Sequence, residues 1–198
     1  NPALRGGFAA EWRLGWACWV GETRVRLISE RERPLTLATF NGAPECVTEP
    51  LGPDLVVRTW RACATESIQP ELRMPSWVRL FPSARACDPL TWAQVADIFR
   101  EHYAAEPLPD DLEAAAAGIE HRVSNPGEQL VEALRLVQSS LRYQAITLGD
   151  GGFVPRSLAR IWATRSGDCK DASRLLVALL NRLGVEASPA LVNTYVGE

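Results

Sequence analysis

Lysine is almost missing from this chain: of its 21 basic residues only Lys170 is a lysine, and the rest are arginine. Against 24 acidic residues the balance is −3. There is thus no basic field for a nucleic acid and no polybasic patch for a membrane surface. No apolar run approaches the ~20 residues that a membrane helix needs. Histidine occurs twice, at His102 and His121, and neither stands beside a cysteine. The five cysteines, Cys18, Cys46, Cys63, Cys87 and Cys169, contain no CxxC pair. That spacing argues against a zinc site, and the odd count argues against a disulfide-stapled scaffold. It leaves room for one or two disulfides among the first four cysteines. The Gly149-Asp150-Gly151-Gly152 turn lacks both GxGxxG and P-loop spacing, so no nucleotide cofactor is indicated. We expect no cofactor and no metal. The chain opens Asn1-Pro2 with no signal peptide, so its compartment is not read from this end.

What is present describes a folded protein. The 198 residues are 46% hydrophobic and 23% charged, enough to bury one large core or two small ones. The first half reads as strands. Residues 13–20 are rich in aromatic and β-favouring types, and residues 23–29, 35–40 and 55–62 alternate polar with apolar. Turn formers separate them: Pro34, Asn41-Gly42, Pro44, Pro50 and Gly52-Pro53. The stretch from Pro70 to Pro89 reads as a linker or irregular cover. The four tryptophans at 12, 16, 19 and 60 are expected to pack the core of a small sheet.

The second half changes period. Thr91 and Gln94 form a capping box before Trp92, Val95, Ala96, Phe99 and Tyr103, which share a helical face. A second helix covers 109–121. Asn125 caps a third, with Pro126 at its first position and Leu130, Ala133, Leu134, Val137 and Leu141 as its stripe. Ile146 and Leu148 follow that helix. A short helix is predicted over 157–164. The last runs from about Asp168 to Leu183 with Ala172, Leu176, Leu179, Leu180 and Leu183 inward, and Gly184 ends it. A strand over roughly 186–195 closes the chain. His102 and His121 are expected to be solvated helix residues.

The run Gly167-Asp168-Cys169-Lys170-Asp171 carries the candidate chemistry. Cys169 falls in the first turn of an amphipathic helix, where backbone N–H groups converge and a thiolate is favoured. The same N–H groups suit an oxyanion on an attacked carbonyl. Gly167 is expected to allow a tight turn and substrate approach to the sulfur. Asp168 is a candidate cap, and Asp171 suits the helix dipole. Both acids oppose a neighbouring negative charge, and Lys170 partly offsets them.

Residues 151–195 resemble the nucleophile segment of the transglutaminase-like superfamily. The resemblance is carried by the Pro155 turn, the helix containing Trp162, the Gly167–Asp171 run, the leucine-rich helix and the exit Gly184-Val185-Glu186-Ala187. Leu141-Arg142-Tyr143 and Leu148-Gly149 are similar to bacterial members, and residues before about 90 resemble a β-rich domain that precedes such cores in bacteria. The resemblance implies that Cys169 is the nucleophile of a Cys-His-Asp triad that forms an acyl-enzyme. In the family the histidine and aspartate follow the cysteine, whereas both histidines here precede it, and Asp171 is too close in sequence to be the orienting acid. The triad is therefore expected to be incomplete and this chain inactive by itself. Animal members place an oxyanion-stabilising tryptophan near the positions of Ser157 and Leu158; neither is tryptophan here. Their Gly-Gln-Cys-Trp run also differs from this Gly-Asp-Cys-Lys.

These readings combine into an α+β chain. Residues 1–88 are expected to form an antiparallel, sandwich-like β domain. Residues 89–198 are expected to form the helical first half of a transglutaminase-like, papain-like core, cut before the family's histidine and aspartate. The resemblance implies a bacterial, extracytoplasmic thiol enzyme acting on a protein or peptide substrate by hydrolysis or transamidation. The alternative is a non-catalytic peptide-binding module on an inactive scaffold. Self-association through the unpaired edge of the last strand is expected. Cys169 is expected to be the most reactive thiol, with Cys18, Cys46 and Cys63 shielded or paired.

Overall fold

The structure is a computed structural model that describes residues 5–75, 78–145 and 149–192. It is a mixed α+β chain with antiparallel sheets and five α-helices among the described residues. Two compact units divide it, one built on Gly6–Thr91 and the other on Trp92–Leu191. No helix among the described residues is long and apolar enough to cross a membrane.

The first unit consists of two three-stranded antiparallel sheets. Strands β1 (Ala9–Arg13), β6 (Ser83–Cys87) and β3 (Thr36–Phe40) form one, in the order β1-β6-β3. Strands β2 (Val20–Glu30), β5 (Leu55–Thr65) and β4 (Val47–Leu51) form the other, in the order β2-β5-β4. Period-2 alternation builds both. On β2, Val25 and Leu27 turn inward between exposed Arg24 and Arg26; on β5, Trp60 and Ala62 are buried on either side of exposed Arg61. Trp60 is fully buried, its ring 5.6 Å from that of Trp12 on β1, and Ala84 and Ala86 of β6 join the same core. Both sheets therefore share one apolar interior. Asp88 closes the unit: its carboxylate accepts the Phe8 N–H at 2.7 Å and a two-pronged bond from Arg33 at 2.8 and 3.0 Å.

Four expectations fail in this unit. Residues 13–20 are not one strand, since only Arg13 and Val20 lie in strands. Gly15 lies against Pro82, where a Cβ would stand 2.6 Å from the ring, and the chain bends at Ala17 and Cys18. Trp16 and Trp19 are left exposed, so two of the four tryptophans stay out of the core. The segment after Pro70 is not all cover: Ser83–Cys87 is the central strand of its sheet. Its alanines hide the strand from propensity, yet small side chains are what the space beside Trp12 and Trp60 admits. Finally, Cys18 and Cys63 are exposed and all five cysteines are free, so the expected shielding or pairing does not hold.

The second unit is helical. Helix α1 (Trp92–Arg100) runs into a 3₁₀ turn, Glu101–Tyr103; α2 (Asp110–Arg122) and α3 (Pro126–Ser140) follow. The Asn125 side chain accepts the N–H groups of Gly127 and Glu128 at 2.8 and 3.2 Å, a working N-cap. A two-residue strand β7 (Arg142–Tyr143) pairs in parallel with β8 (Ser166–Gly167), which separates α4 (Leu158–Thr164) from α5 (Cys169–Arg182). Leu112, Ile119, Ala133, Val137, Leu158, Ile161, Trp162, Leu175 and Leu179 form the core. Leu130 is exposed, and Gln129 is buried instead, its amide donating to the Val123 carbonyl at 2.8 Å. Gly184 adopts φ +76°, and the Val185 N–H closes onto the Leu180 carbonyl at 2.9 Å, ending α5.

The expected closing strand is absent over 185–192; residues 193–195 lie outside the described residues, as do Ile146 and Leu148. The Asn181 side chain occupies both backbone groups of Ala187, accepting its N–H at 3.0 Å and donating to its carbonyl at 3.2 Å. That ties the segment to the helix end, and Pro189 removes a further donor. Self-association through that strand edge loses its basis over these residues.

Candidate active site

Cys169 is the first residue of α5, and its side chain is exposed. Three local devices fix the turn that presents it. Arg165 ends α4 in the left-handed region at φ 49°, its N–H bonded to the Ile161 carbonyl and its guanidinium stacked 3.3 Å over the Trp162 ring. The mini-sheet then holds the chain: the Arg142 N–H donates to the Arg165 carbonyl at 2.9 Å, and the Gln144 N–H to that of Gly167 at 2.8 Å. Below the turn lies Asp171, fully buried. Its carboxylate accepts the Arg156 backbone N–H at 2.8 Å and Nε at 3.0 Å, and Nη2 stands 2.8 Å away in the same ion pair. Arg156 Nη2 also donates to the Ser166 carbonyl. One arginine thus joins the segment before α4, strand β8 and the first turn of α5.

This arrangement changes the roles expected of the flanking residues. Asp171 is a structural anchor with no solvent access, rather than an acid suited only to the helix dipole. Gly167 is buried, and a Cβ on it would stand 2.7 Å from Asp171 Cβ and 2.8 Å from Oδ2. The missing side chain makes room for the Asp171–Arg156 pair. Asp168 caps no backbone N–H with its side chain; its buried carboxylate pairs with Lys170 Nζ. The Asp168 side chain thus leaves the first-turn N–H groups of α5 uncapped by itself.

A second knot lies one turn further on. Glu106 accepts Arg174 Nη2 at 2.6 Å and the Leu158 N–H at the start of α4 at 2.8 Å. Arg174 Nη1 donates to the Arg156 carbonyl at 3.3 Å. The segment that follows the 3₁₀ turn is thereby pinned against α5. Tyr103 ends that turn and lines two cavities of about 480 Å³ each. Trp92, Val95, Ala96 and Phe99 of α1 wall one; Glu106, Leu158 and Arg174 wall the other. Burial pushes the Tyr103 phenol above its usual range, and negative charge on Cys169 pushes the same way. Arg174 opposes this, while Asp168 and Asp171 add to it.

Neither histidine hydrogen-bonds Cys169 among the described residues. His121 is exposed in the last turn of α2. His102 is half-buried, edge-on to Phe99 at 6.2 Å, rather than solvated as expected. No group of three metal-ligating side chains occurs among the described residues. Tyr103, Glu106, Arg156 and Arg174 went unrecognised in the sequence. One signal was there for Arg156: Asp171 shares its helical face with Leu175 and Leu179, and a carboxylate on an apolar stripe demands a cationic partner.

No family model matches the chain, and no curated protein matches it. Among solved structures, the chain resembles that of a protein from Parabacteroides distasonis provisionally assigned as a protease, with a TM-score of 0.75 and 15% identity. The match covers 91% of this chain and 35% of that one, so this chain spans about a third of the length of the structure it resembles. At that identity the likeness is one of fold.

Proposed function

We propose that this chain carries the nucleophile half of a transglutaminase-like thiol enzyme that acts on amide or peptide bonds through Cys169. The observation that supports it most is the exposed Cys169 thiol at the first turn of α5, on a turn fixed by the pair of Arg156 with buried Asp171. The fold likeness to a provisionally assigned protease points to the same peptidase-like class. The residues that carry the family resemblance lie in this helical unit.

In the proposed reaction the Cys169 thiolate attacks the amide carbonyl. The S–C bond forms while the carbonyl π pair moves to oxygen, where first-turn N–H groups face the developing charge. Collapse expels the amine, which leaves with one proton from a general acid. Water then yields the carboxylic acid, and a second amine yields a new amide. No base is hydrogen-bonded to Cys169 among the described residues, so a histidine and an acidic residue elsewhere in the functional protein complete the triad. Alone, this chain is expected not to turn over unactivated amides.

The absence of a histidine contact to Cys169 also favours a second reading, a non-catalytic peptide-binding module on the same scaffold. A peptidyl acyloxymethyl ketone, mapped by mass spectrometry, tests between them. The enzyme reading expects modification at Cys169 ahead of Cys18 and Cys63, suppressed by excess peptide amide. Equal labelling of the three exposed thiols, indifferent to competitor, overturns it.

A further inference from the structure

The two sheets of the β unit end in four edge strands. β1, β3 and β4 have five residues each, and β4 carries Pro50. β2 is different. It runs for 11 residues without a proline, and among the described residues it pairs with β5 alone. None of its residues is buried. A long open edge of this kind offers a row of unpaired backbone N–H and C=O groups to another chain, whereas shortness blunts the other three edges.

The side chains of β2 define what this edge fits. Residues directly opposite in a sheet share a face. The register sets Arg26 opposite Thr59, Ile28 opposite Val57 and Glu30 opposite Leu55, all on one face. That face points away from the core, because Val25 and Leu27, which alternate with these residues, pack against the cluster that holds Trp60. Ile28 is 51% exposed there. Toward the start of the strand the charges are satisfied: Glu22 bridges Arg24 at 2.5 Å and Arg61 at 2.7 Å. Arg26 and Glu30 are left over. Neither side chain makes an ion pair or hydrogen bond among the described residues, and the Arg33 guanidinium near Glu30 is held by Asp88. Four positions apart on one strand, Arg26 and Glu30 stand about 13 Å from each other and cannot meet within one chain.

A second copy brings them together. Antiparallel pairing of two β2 edges about a two-fold axis at Ile28 sets Arg26 opposite Glu30 of the second copy, and Glu30 opposite its Arg26. The same register lays Ile28 against Ile28. Other registers fit worse. An axis at Val25 sets Arg24 opposite Arg26, and an axis at Arg26 sets Glu22 opposite Glu30, and like charges directly opposite oppose pairing. An axis at Arg24 sets that residue against itself. An axis at Thr23 or Leu27 draws on Arg24, which Glu22 already holds, and leaves Arg26 opposite Val20 or Ile28.

We propose that this chain forms an isologous dimer by antiparallel pairing of two β2 edges about Ile28, which joins two three-stranded sheets into one of six strands.

Sedimentation velocity of the full chain over a concentration series tests the proposal, together with cross-linking at the axis. The unmodified chain is expected to pass from monomer to dimer as concentration rises. Symmetry makes each charge reversal act twice, so Arg26→Glu and Glu30→Arg are each expected to raise the dimer dissociation constant at least about fivefold. The double variant Arg26→Glu/Glu30→Arg restores the complement and is expected to return to within about twofold of the unmodified chain. That recovery separates lost pairing from a damaged sheet. Far-UV circular dichroism accompanies each variant, and if one single reversal does not fold the other carries the same expectation. Residues that face each other across the axis have Cα atoms about 4.5–5.5 Å apart, within disulfide reach. In a Cys18→Ser/Cys63→Ser/Cys169→Ser background, Ile28→Cys is therefore expected to form a disulfide dimer under mild oxidation, well ahead of Val47→Cys on the opposite edge of the sheet. A monomer at every soluble concentration overturns the proposal. So does a dimer indifferent to both single reversals, a loss that the double variant fails to restore, or equal cross-linking of Ile28→Cys and Val47→Cys.

Discussion

Replacing Asp171 with asparagine removes the charge at the centre of the turn that presents Cys169 while keeping the side chain's shape. The carboxylate accepts two hydrogen bonds from Arg156, at 2.8 and 3.0 Å, with Nη2 2.8 Å away in the same ion pair. Charge-assisted bonds contribute roughly 1.5–3 kcal/mol each when taken singly. Their simple sum overshoots, because both share one ion pair and its desolvation. Breaking a buried pair from one side costs about 3–5 kcal/mol, most of it from the stranded partner. Arg156 is such a partner, with a side chain only 19% exposed. An asparagine also turns an NH₂ group toward one of the two donors. We therefore expect Asp171→Asn to destabilise the helical unit by about 3–5 kcal/mol, a fall in its melting temperature of at least about 12 °C. Urea unfolding followed at 222 nm measures it, since most helix lies in this unit. The double variant Asp171→Asn/Arg156→Met should recover part of the loss, because the unpaired charge is gone. A loss under about 1 kcal/mol for Asp171→Asn, with no coupling in the double variant, would refute the reasoning.

Gly167→Ala forces a methyl to within 2.8 Å of the Asp171 carboxylate and should cost about 1–3 kcal/mol in the same unfolding assay, with Ser166→Ala as the milder neighbour control. In the β unit, the Arg33 guanidinium holds the Asp88 carboxyl below its ordinary value against the opposing effect of burial, with the Phe8 N–H adding to the lowering. A lowered carboxyl stabilises the fold above its unfolded value of about 3.9 and loses that contribution as pH falls through the folded value. Thermal melts should therefore show an acid limb below about pH 4 that Asp88→Asn flattens while lowering the melting temperature at pH 7. Limited iodoacetamide labelling should reach Cys169, Cys18 and Cys63 before Cys46 and Cys87, with Cys169 first; Cys46 or Cys87 leading would contradict the exposures.

Much of the helical unit was legible because its signals are local. Asn125-Pro126, Ser157 and Gly184 each fix a helix end through a bond made within a few residues. The apolar stripe of α5 reads directly from its leucines, although Leu175 and Asp171 took the most buried positions. The β unit was harder. β6 is central yet built of Ser, Ala, Arg, Ala and Cys, residues whose strand character comes from their neighbours rather than their own preference. Aromatic density at 13–20 measured a taste for burial, which Trp16 and Trp19 do not satisfy. Within the candidate site, Cys169 could be placed from its position before a leucine-rich helix. Glu106 and Arg156 could not, because ion pairs and tertiary turns across 15–68 residues bring them to α5.

The central claim is that Cys169 accepts an acyl group from a carbonyl substrate. Intact-mass and peptide-level mass spectrometry after brief exposure to p-nitrophenyl acetate at neutral pH tests it directly. The account predicts one dominant acetyl adduct, on Cys169, formed with release of one equivalent of p-nitrophenolate and abolished by Cys169→Ala. Acetylation spread evenly over Cys18, Cys63 and Cys169, or a phenolate burst that survives Cys169→Ala, would contradict it.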